Sequence, residues 1–209
     1  MLLPNFALIL VMIFSMDSTG QNITGEYFLK ANHEMVSAFK FNDNGRFEFF
    51  YIYGAVDRMA KGSYSVSNKI ITIKADKIPG NDFSIKLQTI SGTGTTVKIV
   101  DKNTYLNRNV MCVFIKGNKN ETVYSNEEGT AHSELTDCDT IYAMHTLYPD
   151  VASAIKTGGP NKNNYFELTL NPSMAEVSFK DFYLTCEPGT LTGSFPFLFE
   201  TKQSTFIKR

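Results

Sequence analysis

The chain has no tryptophan, only three histidines and three cysteines in 209 residues, and almost no net charge. Each scarcity removes a class of function. No Cys-x-x-Cys occurs, which takes away dithiol redox chemistry and a structural zinc site. His33-Glu34 begins like a zinc-protease helix, but Ser37 stands where the second histidine must be, so two ligands cannot share one helical face. There is no Gly-x-Ser-x-Gly nucleophile elbow. The tract Gly92-Thr93-Gly94 lacks a third glycine and a following helix, and reads as a linker rather than a phosphate cradle. No cofactor is expected. Lys plus Arg is 20 and Asp plus Glu is 21, with the signs scattered, so neither nucleic acid nor an anionic membrane is an expected partner.

What is present begins with an apolar run. Leu2 to Phe14 is interrupted only by Pro4 and Asn5, and small and polar residues follow from Ser15 to Gly20. Ser18 and Gly20 suit the small positions of a signal-peptidase site, which makes 1–20 a signal peptide and Gln21 the first residue of the processed chain. The run is shorter than the roughly 20 apolar residues of a bilayer span, so no stable membrane span is expected after processing. The positive end is weak, because the first Lys or Arg is Lys30, and a buried N-terminal strand or short helix is the competing reading. Removing Asp17 with the leader leaves twenty charges of each sign. The expected location is secreted or periplasmic.

The remainder reads as all-β. Seventeen Phe and ten Tyr favour strands and supply large buried area. Met35 to Phe41 alternates, Asn42-Asp43-Asn44-Gly45 makes a turn, and Arg46 to Tyr53 returns with Phe47, Phe49, Tyr51 and Tyr53 on one face. Gly62 to Val66 and Ile70 to Lys74 form a second hairpin, and Phe83, Ile85 and Leu87 mark a further strand. Beyond Ser91 to Thr95 come Thr96 to Asp101, an apolar strand around Cys112, a tight turn at Asn126 to Gly129, and Thr140 to His145. Val151 to Lys156 suggests one short helical turn. Val177 and Phe179 alternate, and the phase slips near Asp181 as a bulge would make it. Pro196 favours an edge or a bulge in Leu191 to Phe199. No window past the leader holds three turns of helical periodicity.

Two stretches carry a resemblance. Gly25-Glu26-Tyr27 through Ile73 resembles the opening of small bacterial lipocalin-like proteins, which start with Gly-x-Trp or Gly-x-Tyr and continue as antiparallel hairpins; Phe199 to Lys208 is similar to their closing strand. Thr96 to about Ser133, with Val100-Asp101 and the turn Ser125 to Gly129, is similar to transthyretin-like or carboxypeptidase regulatory-like sandwiches. The tract Tyr51 to Arg58 is similar to secreted bacterial proteins of unassigned activity. The resemblance implies an antiparallel barrel or sandwich over 21–92, a smaller β-sandwich over 93–160, and C-terminal strands over 161–209. These last either rejoin the first unit, making the middle an insertion, or follow it sequentially.

Few residues are candidates for chemistry. Tyr51 and Tyr53 share a strand face, and Asp57 and Arg58 follow the Gly54 turn. An aromatic concavity rimmed by an ion pair would bind a small amphipathic or glycan-like ligand. The plainer reading is a tyrosine-rich core edge beside a surface salt bridge. Cys138 and Cys186 lie in polar, turn-like surroundings and are the expected disulfide pair, leaving Cys112 as a buried thiol; three free thiols is the other reading. No catalytic set and no metal site is assigned. The expected function is therefore a non-catalytic exported β-protein that binds a small amphipathic ligand or a cell-surface component. The alternative is a hydrolase or metal-dependent enzyme using His132, His145 and nearby carboxylates such as Asp150. Asn22-Ile23-Thr24 and Asn120-Glu121-Thr122 fit the glycosylation sequon of a eukaryotic secretory host.

Overall fold

A computed structural model of the chain describes residues 22–30, 34–54, 56–195 and 203–209. The expected signal peptide, 1–20, and His33, Ala55 and Pro196 lie outside these residues. The fold is all-β, and eight of its strands close into an antiparallel barrel that is lipocalin-like in general shape.

The first five strands are a meander: β1 (Gly25–Leu29), β2 (Met35–Phe41), β3 (Arg46–Tyr53), β4 (Val56–Ser67) and β5 (Ile70–Ala75). Their turns are written into the sequence. Gly45 has φ 75° after Asn44, and Asn68 and Lys69 both have positive φ between paired Ser67 and Ile70, which is the primed two-residue turn that matches strand twist. Three late strands complete the barrel: β14 (Tyr183–Glu187), β15 (Thr190–Gly193) and β16 (Ser204–Lys208). β14 pairs with β5 and β16 with β1, so both ends of the chain share one sheet.

The intervening strands make two four-stranded sheets. One is ordered β10 (Thr130–Ser133), β7 (Thr95–Ile99), β13 (Tyr165–Leu170) and β6 (Phe83–Thr89). The other is ordered β12 (Ser153–Thr157), β11 (Thr140–His145), β8 (Val110–Lys116) and β9 (Lys119–Tyr124). Buried residues of both sheets form one apolar cluster, as the two inner faces of a sandwich do. β6 falls in the tract 21–92 and β13 in 161–209, yet the two pair along their length. The turn Asn126 to Gly129 forms as the sequence suggests, but it passes the chain from one sheet to the other.

Eight strands leave an interior just wide enough for side chains to fill. Here it is filled with rings: Phe39 is fully buried, lies 4.7 Å from Phe49, 5.1 Å from Phe206 and 5.7 Å from Phe179, and stacks on Phe41. Each such side chain contributes about 1.5–3 kcal/mol of burial. Gly62 makes the closure of β4 on β5 possible. A Cβ there would sit 2.1 Å from the Lys74 carbonyl oxygen and 2.8 Å from the Phe47 ring. Gly94 of the expected linker is a tight turn instead, with φ 68° and its Cβ position 2.3 Å from the Ser133 carbonyl oxygen.

Two local expectations need correction. Ser153–Thr157 is a strand where a helical turn was expected, because Ser153 and Ile155 alternate inward against the sandwich. The phase slip near Asp181 is not a bulge in a paired strand. The segment after Met174 runs beside β4 through a single bridge, Met59 to Glu176, then turns inward with Phe179 at φ 46° and Asp181 at φ 54°. A bulky residue at positive φ is strained. The gain that holds it is the Phe179 ring, packed against Phe39, Phe49, Phe182 and Phe195.

Candidate functional site

Of the four residues expected to form a binding site, Tyr51 and Arg58 are brought opposite each other in the interior, while Tyr53 and Asp57 are exposed. β3 and β4 pair with Tyr51 opposite Arg58, Ile52 opposite Asp57 and Tyr53 opposite Val56. Asp57 and Arg58 are consecutive on a strand rather than in a loop, so they point to opposite faces. Arg58 is buried inside and Asp57 is exposed outside, and the expected ion pair is not made. Tyr51 is 6% exposed within the barrel core while Tyr53 is 44% exposed beyond it, so they do not form one open aromatic concavity.

The expected Cys138–Cys186 disulfide is absent as well. All three cysteines are free and buried, Cys138 and Cys112 in the sandwich core and Cys186 in the barrel core. The polar neighbours of Cys138 and Cys186 alternate outward while each sulfur points into its own core. Burial pushes the Cys112 thiol up to about 12, which makes it inert.

Arg58 instead opens a cluster that the sequence does not announce. Its guanidinium donates to the carbonyl oxygens of Pro149 and Glu176, the latter at 2.9 Å. Lys77 lies beside it, also buried. Its ammonium stands 2.8 Å from Asp82 and 2.9 Å from Asp150, and donates to the Glu176 carbonyl at 2.8 Å. The Asp82 contact is an ion pair without hydrogen-bond alignment at that oxygen. Asp150 also accepts from the Ser178 amide at 2.9 Å and from the Ser178 hydroxyl at 2.7 Å. Two cations and two carboxylates thus lie at the joint between barrel and sandwich. Burial lowers the Arg58 pKa, with Asp150 and Asp82 opposing it; burial raises that of Asp82, with Lys77 opposing it. Such pairs repay their desolvation only when the remaining polar atoms are bonded. The carbonyls and Ser178 meet part of that need, while Arg58 Nε and Asp82 Oδ1 have no hydrogen-bond partner among the described residues.

Above this cluster runs a cleft of about 620 Å³ at the rim of the barrel. Val177, Phe179, Phe182 and Phe195 give it an apolar floor. Asp150, Lys180, Asp181, Ser194 and Gln203 give it a polar margin, and it extends past Tyr183, Thr185 and Thr192 on the outer faces of β14 and β15. The size and the mixture suit a small amphipathic molecule. Asp150 belongs to both features, which fixes one wall of the cleft to the charge cluster.

The histidines of the enzyme reading lie on different sheets. His132, on β10, is exposed, with Nδ1 2.9 Å from the Thr96 hydroxyl. His145 ends β11, buried, with Nδ1 accepting from the Leu147 amide at 3.1 Å. Burial pushes His145 below the ordinary imidazole range; the Leu106 backbone opposes this without reaching hydrogen-bond geometry at Nε2. No cluster of three or more metal-ligating side chains occurs among the described residues, and no helix there is long and apolar enough to cross a membrane. Neither a protein-family model nor a curated protein matches this chain.

Proposed function

We propose that the protein is an exported, non-catalytic binder whose barrel-rim cleft holds a small amphipathic ligand. The observation that carries this reading is the cleft, where Phe179, Phe182 and Phe195 meet hydroxyl and charged groups in about 620 Å³. Apolar rings would hold the ligand's body, and Lys180, Asp181 and Gln203 its polar end. The strained backbone at Phe179 supports the same reading, since strain of this kind concentrates at ligand sites. In this account the barrel belongs with the small bacterial lipocalin-like proteins and the middle sheets with transthyretin-like sandwiches, which act as its rigid support. The apolar run from Leu2 to Phe14, read as part of a signal peptide, supports a place of work outside the cytoplasm.

The test uses 1-anilinonaphthalene-8-sulfonate, whose fluorescence rises in an apolar, water-poor site. The protein should bind it saturably, and Phe182→Asp should weaken binding roughly 10-fold or more, by placing a charge in the apolar floor. Tyr53→Ser, away from the cleft, should leave it unchanged. Equal binding by the wild type and Phe182→Asp would contradict the assignment.

A further inference from the structure

Four large apolar side chains stand exposed on one wall of the barrel: the outer faces of β2, β3 and β4 present Val36 (53% exposed), Phe50 (37%), Ile52 (44%) and Met59 (59%). Ile70 on β5, Tyr183 on β14 and Ile207 on β16 are exposed as well. The strand register orders the four. Phe28, Ala38, Phe50 and Met59 are partners in turn across β1, β2, β3 and β4, and Val36 and Ile52 make a second, shorter row. Beside the first row runs a third, Glu26, Lys40, Glu48 and Lys61, in which each residue is the partner of the next. Contiguous exposed apolar surface bordered by charge marks an interaction face.

We propose that this wall seats a second copy of the chain about a two-fold axis lying along the strands, between β2 and β3. Such an axis turns every row end for end onto itself. In the apolar row Ala38 then faces Phe50 of the other copy and Phe28 faces Met59. Ala38 is small and only 4% exposed, so the Phe50 ring of the other copy rests on the larger side chains that cover it. Val36 faces Ile52. The charged row reads acid, base, acid, base, so reversal brings Lys40 against Glu48 and Glu26 against Lys61, and every charge meets its opposite. A mixed row of this kind suits a copy of itself better than a uniformly charged partner or a lipid surface. Among the described residues of one chain Lys40 is held by a 3.7 Å contact to Glu26, with both side chains about half exposed, so re-pairing across the axis costs little. The long side chains, Phe28 and Met59, lie on the outer strands, where two convex barrels diverge and reach is needed.

Sedimentation equilibrium of the protein, in the form its host leaves it, tests this. The wild type should fit a reversible dimer. Phe50→Glu should weaken it by roughly 30-fold or more, as loss of a central anchor does. Lys40→Glu should weaken it by setting acid against Glu48, and the double variant Lys40→Glu/Glu48→Lys should restore it. Circular dichroism of each variant, unchanged from the wild type, separates loss of association from loss of fold. A wild type that stays monomeric at every concentration overturns the proposal, as does one that floats with neutral phosphatidylcholine vesicles instead of dimerising. A double variant no better than Lys40→Glu overturns the two-fold arrangement.

Discussion

The two cores of this protein solve the same problem with different side chains. The barrel is packed with phenylalanine, seven of them among its buried residues, while the sandwich is packed mainly with Val, Ile, Leu, Ala and Cys around Phe83, Phe114 and Phe166. A closed eight-stranded interior is wide and needs large rings to meet across it. Two facing sheets stand about 10 Å apart, and medium side chains fill that gap. The difference also separates their roles. Aromatic filling leaves an apolar floor at the barrel rim, where the cleft opens. The sandwich, tightly closed, supplies Asp82 and Asp150 to the joint.

Substitutions can break this contrast in graded steps. Gly62→Val should prevent barrel closure, because its side chain would drive into the β5 backbone; the outcome to see is loss of cooperative thermal unfolding in the barrel with the sandwich signal retained. Phe39→Ala should cost about 3–5 kcal/mol in urea unfolding, since the hub of the ring cluster leaves a cavity. Lys77→Met removes the cation between Asp82 and Asp150 and should cost about 3–5 kcal/mol, the expected penalty for stranding buried charge. A drop below about 1 kcal/mol there would mean that the joint is hydrated and contributes little.

The smallest effects sharpen the sandwich side. His145 is buried with its pKa lowered, so the unfolded chain takes up a proton before the folded one does. The stability this contributes is present above the ordinary imidazole value of about 6.5 and is lost as pH falls through the lower folded value. The melting temperature should therefore decline on acidification from neutral pH, and His145→Asn, which can still accept from the Leu147 amide, should flatten that decline. Lastly, the three cysteines should be silent to a thiol reagent in the native state and all react after unfolding, with no change in mobility on reduction.

The strands were legible because alternation and turn residues are local: Met35 to Phe41, the Asn44-Gly45 turn and Arg46 to Tyr53 are found where the pattern puts them. Pairing of distant strands was not. Nothing within β5 or β14 says that Ile71 and Leu184 are neighbours. The site failed for a related reason. Arg58 was read as following a loop, but the Gly54 turn is so short that β4 has already begun, and strand alternation turns it inward. Its partners stand in two connecting segments, Lys77 and Asp82 between β5 and β6 and Asp150 between β11 and β12, each unremarkable alone. Phe179 and Phe182 carried a trace, since the alternation that slips near Asp181 marks the place where the chain turns into the barrel mouth before β14 begins.

The most direct measurement is native mass spectrometry of the protein purified from its own host. The account predicts an organic molecule of a few hundred daltons, of a size that about 620 Å³ can hold, released on denaturation and absent from the Phe182→Asp variant. A stoichiometric metal ion in place of such a molecule, or the same retained mass in both proteins, would contradict it.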